Sequence, residues 1–368
     1  MNNNHVTTLQ IDLNAVKFNL NYFKSLLTKD TEILVVVKAF GYGSDAVEIA
    51  KCIQDDVSYF AVAYTDEGIA LREAGIKTPI LVFHPQEKNL ELIIKYCLEP
   101  SLYSKRILSH FLSITNNLDH SEYPVHLKFN TGLNRLGFQE SDLDFITSSL
   151  LDNKSVKVKS IFSHLAASED KHEREFSRSQ ILSFEKIVNK FEANFGFKPM
   201  KHMTNTSGII NYPEAHYDMV RVGIGLYGFG NDEQETSKLE NVLSLTSVIS
   251  QIHTIEKGES IGYNRGFFTK KNTLTATIPI GHADGISRRL SNGKGWVTIN
   301  HKKAPIIGNV CMDMIMVDVT NIKCQEGDNV VIFNNQQTVE QLAKNSDTIS
   351  YELLTAVSQR IKRSFIQQ

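Results

Sequence analysis

Apolar and polar positions alternate along this chain in two rhythms. The first begins after a helical pattern (Val16, Leu20, Phe23, Leu27) that Asp12 can cap. Short apolar runs then recur with helix-period stretches between them. The runs predict strands at 33–38, 59–63, 80–83, 97–102, 125–129, 158–163, 200–204 and 218–221. The intervening patterns predict helices at 46–53, 65–74, 87–96, 104–114, 140–150, 173–195 and a turn at 206–211. Strands alternating with helices imply parallel pairing through crossovers. Eight of them within about two hundred residues predict a closed (β/α)8 TIM barrel over residues 1–236.

Near residue 237 the rhythm changes, after an acidic and polar stretch at 231–240 that suits a linker. Segments 243–254, 273–280, 296–300, 304–310, 314–319 and 329–333 read as strands with short connections, predicting a mostly antiparallel β domain over 237–368. Helical patterns at 338–344 and 351–363 close the chain. At 368 residues, two domains are expected. With 41% hydrophobic and 22% charged residues the composition is that of an ordinary globular protein. The net charge of -2 gives no reason to invoke nucleic acid or an anionic membrane surface. The four cysteines are scattered without CxxC or zinc spacing, so no metal site is expected and a reducing compartment suits the chain. The N-terminus lacks the basic and apolar regions of a signal peptide, and no stretch approaches the ~20 apolar residues that span a bilayer. A cytoplasmic location is the expectation.

Candidate chemistry collects where barrel strands end, the rim at which such folds place their sites. The apolar run 33–37 ends on Lys38, followed by Gly41-Tyr42-Gly43. Desolvation there would lower the amine's pKa, as a Schiff-base lysine needs, although a strand-end lysine can equally snorkel to solvent. Other strand ends deliver His84, Lys128 with Arg135 close behind, Ser163-His164, Asn205-Thr206-Ser207-Gly208, and Arg221 with Gly223-Ile224-Gly225. The last two groups suit a phosphate: a helix start offers amides and hydroxyls, and paired glycines let backbone approach. A phosphate-bearing aldehyde facing Lys38 would be pyridoxal 5′-phosphate (PLP). His164 could stack on its ring or serve the barrel structurally. Arg221 could face the ring nitrogen or form a rim salt bridge. At the nitrogen, an arginine would keep its proton and leave the pyridine unprotonated, favouring proton exchange at Cα over transamination.

Several segments together resemble alanine racemases. They are Val37 to Gly43, Lys128 to Gly137, Phe162-Ser163-His164, Asn205 to Gly208, Val220 to Gly228, Gly262-Tyr263, Ala283-Asp284-Gly285, Val310 to Asp313 and Thr348 to Glu352. The resemblance runs in order along nearly the whole chain. It implies a fold-type III PLP enzyme interconverting L- and D-alanine, supplying D-alanine for bacterial peptidoglycan and working as a homodimer with shared active sites. It implies Lys38 as Schiff-base lysine and one base, with Tyr263 of the partner subunit as the opposite-face base. It further implies Arg135 at the cofactor's phenolic oxygen and Arg221 at its ring nitrogen. Tyr42, Thr206, Gly223, Ile224 and Tyr351 would surround the phosphate, with Asn205 and His164 also among the cofactor-binding residues. Met312 and Arg135 would hold the substrate carboxylate, and Lys128 matches a lysine often carbamylated in the family. Asn130, Val222, His282, Asn309 and Met314 stand where the family commonly has Asp, Pro, Tyr, Arg and Gln. Competing readings are a broad-specificity racemase of the same fold, a fold-type III decarboxylase, which Arg221 disfavours, and a PLP-carrier protein, which the β domain disfavours.

Overall fold

A computed structural model describes residues 5–367. The first four residues, part of the stretch read for a signal peptide, lie outside them. The chain divides into two compact units, one formed by 17–41 and 46–239, the other by the residues up to 16, 42–45 and those from 240 on.

In the first unit all eight expected strands form. They are β2 (Glu32–Val36), β3 (Tyr59–Val62), β4 (Ile80–Val82), β5 (Glu99–Leu102), β6 (Tyr123–Lys128), β7 (Val156–Phe162), β8 (Met200–His202) and β9 (Met219–Val222). They pair in parallel in sequence order, and β9 pairs with β2. The ring closes because the Asp218 and Arg221 amides donate to the Lys201 and Thr204 carbonyls, both at 3.1 Å. Val35, Phe60, Leu81, Leu127 and Ile161 are fully buried, as strands covered on both faces require. The outer helices fall at the predicted places, including Ala46–Ile53, Thr65–Glu73 and Arg174–Phe195. Within the polar stretch at 231–240, Asp232 caps a short helix, Glu233–Thr236, by accepting the Glu235 amide.

The second unit is built on a nine-stranded sheet in which every neighbouring pair but one is antiparallel. Three features depart from the sequence expectation. Strand β1 (Thr8–Asp12), placed by chain order with the barrel, pairs antiparallel with β10 (Leu243–Val248), and Asp12 at its end caps the helix Leu13–Ser25. The stretch 243–254 is two strands. At Ile249-Ser250 the amides switch from the Asp328 carbonyl to that of Thr277, and β11 (Gln251–Ile255) continues at the opposite side of the sheet. The expected helix 351–363 stops at Thr355, and residues Lys362–Ile366 form a strand parallel to β1. Long-range pairing with the N-terminal strand overrides a local helical pattern there. Among the described residues no helix is long and apolar enough to cross a membrane.

Candidate active site

Strand β2 delivers Lys38 into an unusual turn. Ala39, Phe40, Gly41 and Tyr42 have φ of 53, 55, 62 and 53°, and Gly43 has φ of 87°. The Gly41 amide still donates to the Val37 carbonyl at 3.0 Å, so this is a turn of left-handed helix. Each L-residue held so costs about 1–2 kcal/mol, and such residues normally occur singly. Glu67 offsets the strain. One of its oxygens accepts the Ala39 amide at 2.6 Å, and the other accepts those of Ala63 and Tyr64 at 2.7 and 3.1 Å. The carboxylate thereby ties the turn that carries Lys38 to the end of the neighbouring strand.

Lys38 shares its surroundings with Lys128, Arg135 and Arg221. Burial lowers the Lys38 pKa, and Arg135 and Arg221 lower it further against the pull of Glu67. Lys128, only 4% exposed, is lowered to about 7 by burial, then by Arg135, Arg221 and Lys38. The Lys128 ammonium and the Arg221 guanidinium lie 5.8 and 5.6 Å from the Phe162 ring centre. His84, at the end of β4, is lowered to about 4 by burial and then by Lys128, Lys38 and Arg135. Such a concentration of positive charge suits an anionic ligand.

Arg221 is 3% exposed and held from several sides. Its Nη2 donates to the carbonyls of Ser163 and Met203, both at 2.8 Å, and to His164 Nδ1 at 2.9 Å. Its Nη1 donates to His202 Nδ1 at 2.8 Å. Burial pulls its pKa down to about 9, so it stays charged near neutrality. Burial and then Arg221 push both histidines well below the ordinary histidine range, leaving them neutral acceptors. Among the described residues no carboxylate bonds Arg221 directly.

Asn205, Thr206, Gly223 and Ile224 converge. Asn205 caps the helix Thr206–Asn211 by accepting the Gly208 amide at 2.9 Å, and Ser168 donates to the same Asn205 oxygen at 2.8 Å. The Thr206 hydroxyl oxygen accepts the amides of Gly223 and Gly225 at 3.1 and 3.2 Å, which turns its own proton outward. A side chain at Gly225 would meet Phe23 at 2.4 Å and Thr206 at 2.7 Å, so glycine is required for this approach. The helix start presents the Thr206 and Ser207 amides beside that hydroxyl, a donor set matched to phosphate. A desolvated amine, an anion-seeking field and this donor cradle together fit PLP.

The remaining expected residues belong to the second unit. Tyr42 and Tyr351 have ring centres 6.2 Å apart. Burial, then Tyr351, raises the Tyr42 hydroxyl pKa. Tyr263 follows β12 (Ser260–Ile261) and the left-handed Gly262, and is 72% exposed. Met312 is 58% exposed, and its carbonyl accepts the Ala283 amide at 3.0 Å.

The sequence matches the family model for the alanine racemase N-terminal domain over residues 11–230 and the C-terminal domain over 242–365. The chain belongs to the alanine racemase family. It is 34% identical to alanine racemase 1 of Caldanaerobacter subterraneus subsp. tengcongensis, over 98% of this chain and 94% of that protein. It is 36% identical to the alanine racemase of Thermodesulfovibrio yellowstonii, over 98% and 97%. The solved alanine racemase of Clostridium difficile 630 superposes with a TM-score of 0.92 at 32% identity, covering 98% of this chain and 96% of that one. The Bartonella henselae alanine racemase with covalently bound pyridoxal phosphate gives 0.89 at 29%, covering 98% and 99%.

Two departures from the common racemase pattern have local roles. Asn130 accepts the amides of Gly132 and Asn134 at 3.2 and 2.9 Å, shaping the loop that leads to Arg135. Asn309 donates to the Tyr263 carbonyl at 3.0 Å. Sequence reasoning missed Glu67 and His202. The first was detectable as an acidic residue three positions into a helix behind a strand. The second was one of several polar residues inside otherwise buried barrel strands.

Proposed function

We propose that this chain is a PLP-dependent alanine racemase, interconverting L- and D-alanine for peptidoglycan synthesis in the cytoplasm. One observation supports it most directly. A desolvated lysine ends the first barrel strand, and the arginine nearby is bonded only to neutral acceptors. Lys38 would hold the aldehyde cofactor, which when bound would supply an electron sink that acidifies the Cα proton of an amino acid.

The chain's own residues do the rest. Lys38, with its lowered pKa, can hold or release a proton on one face of the substrate. Inversion needs a second group on the other face, and Tyr263 of the partner subunit takes that role in a homodimer. The barrel would hold the cofactor, and the C-terminal β portion would complete the partner's site. Arg221 would donate toward the ring nitrogen without surrendering its proton, His164 would lie against the ring, and Arg135 would face the phenolic oxygen. Thr206, Gly223 and Ile224, and from the second unit Tyr42 and Tyr351, would bind the phosphate, with Asn205 also at the cofactor. The Met312 amide and Arg135 hold the substrate carboxylate. The Lys128 amine, neutral in part at pH 7, can add carbon dioxide, releasing a proton and becoming a carbamate whose negative charge steadies Arg135.

Incubation of the purified protein with L-alanine, and separately with D-alanine, followed by chiral chromatography tests the reading. Interconversion in both directions is expected. No interconversion, or faster racemisation of another amino acid, would overturn it.

A further inference from the structure

TIM-barrel interiors are normally filled by layers of branched apolar side chains. Here five consecutive strands each contribute one polar residue to a single buried row: Glu99 on β5, His126 on β6, Ser160 on β7, His202 on β8 and Arg221 on β9. His126, Ser160 and His202 are fully buried, and Arg221 and Glu99 are 3% and 9% exposed. The row is continuous. Arg221 Nη1 lies 2.8 Å from His202 Nδ1, and His202 Nε2 lies 3.0 Å from Ser160 Oγ. Ser160 Oγ lies 2.6 Å from His126 Nδ1, and His126 Nε2 lies 2.8 Å from Glu99 Oε2. The Tyr59 hydroxyl also donates to that Glu99 oxygen, at 3.2 Å.

With both imidazoles neutral, the two ends dictate the direction of every bond. A guanidinium can only donate, and an ionised carboxylate can only accept. His202 must therefore accept at Nδ1 and carry its proton on Nε2, which donates to Ser160. Having one proton, Ser160 passes its own bond to His126 Nδ1, and His126 donates from Nε2 to Glu99. A single arrangement of protons satisfies all four bonds.

We propose that Glu99 is a positioning residue for Arg221, fixing both histidines in the Nε2–H form so that His202 always offers Arg221 a lone pair. It is the carboxylate that answers the buried guanidinium, displaced along a neutral hydrogen-bonded chain. Its effect reaches Arg221 without a contact, and chains of this kind polarise cooperatively in low-dielectric surroundings. The consequence for catalysis rests on the role proposed for Arg221 at the ring nitrogen, whereas the proton arrangement does not.

A glutamine at 99 turns an obligate acceptor into a group that can also donate to His126 Nε2. That would place the His126 proton on Nδ1, reverse the Ser160 hydroxyl and set an N–H of His202 against one of Arg221. The test combines nitrogen NMR of the cofactor-loaded protein, labelled at histidine, with steady-state kinetics. In the unaltered protein, signals assigned through His126→Gln and His202→Gln should show both rings neutral with protonated Nε2. A protonated Nδ1 on either ring overturns the proposal, whether or not the protein racemises alanine. Glu99→Gln should mix the tautomers and lower kcat about tenfold with little change in KM, the scale of a buried donor facing a donor, while Glu99→Asp restores both signals and rate. Unchanged tautomers and kcat in Glu99→Gln would equally overturn it. If that variant does not fold, the tautomers of the unaltered protein still decide. Absence of racemisation by the unaltered protein would refute the functional reading alone.

Discussion

Glu67 accepts the amide of Ala39 at 2.6 Å, and the two residues lie 28 positions apart in the chain. That bond joins the helix after one barrel strand to the left-handed turn after another, immediately beyond Lys38. Substituting Glu67→Ala removes the acceptor of three amides, those of Ala39, Ala63 and Tyr64. A loss of about 1.5–3 kcal/mol in unfolding free energy is expected, the range for hydrogen bonds to a charged group. Denaturant unfolding measures it. A midpoint equal to that of the unaltered protein would show that something else holds the turn.

Lys38→Ala should abolish both racemisation and the visible absorbance of bound cofactor. A variant that keeps the absorbance would refute the assignment of Lys38.

Tyr263→Phe should slow racemisation and stop solvent-proton exchange in one stereochemical direction while leaving the other. Exchange into L- and D-alanine, followed by NMR in deuterated buffer, separates the two. Equal exchange in both directions would refute a pair of bases on opposite faces.

Lys128 provides a pH prediction for the cofactor-free protein in carbon-dioxide-free buffer, where its amine is unmodified. Its folded pKa is lowered to about 7, chiefly by burial, whereas an unfolded lysine titrates near about 10.4. Between those values the unfolded state binds a proton that the folded state lacks, so stability rises with pH across that window. Below it both states are protonated, and the full cost of the buried charge remains. The slope approaches about 1.4 kcal/mol per pH unit for one proton. Lys128→Met should remove that component, and the unaltered protein should gain on the variant between pH 7 and 9 in denaturant titrations. Parallel pH profiles would contradict the shift.

The second unit contains an asymmetric ion-pair cluster. Asp284, 3% exposed, accepts Arg360 Nε and Nη2 at 2.6 and 3.0 Å and the Gly281 amide at 2.8 Å. Asp313, whose side chain is 56% exposed, accepts the same Arg360 Nη2 at 2.7 Å. Asp284→Asn should cost about 1–3 kcal/mol and Asp313→Asn about 0–1 kcal/mol, because solvent screens the second pair. Chemical unfolding of the two variants compares them, and equal losses would count against a burial-dependent contribution.

Local pattern determined a good deal of this protein. The first barrel strands were legible because a parallel strand buried on both faces is apolar along most of its length, which Val35 and Val36 satisfy without any partner in view. Lys38, Arg221 and the Thr206 and Gly223 segments were legible because strand ends in such a barrel share one rim. Tertiary structure decided what depends on distant partners. Strand β1 joins the second unit, and residues 362–366 become a strand rather than helix, because each completes the other's backbone hydrogen bonds across the length of the chain. Lys38 is the clearest case. Its position at a strand end was written in the sequence. Its left-handed turn and lowered pKa were not: Glu67 holds the turn, and burial, then Arg135 and Arg221, lower the pKa, surroundings that only the closed barrel gathers around one amine.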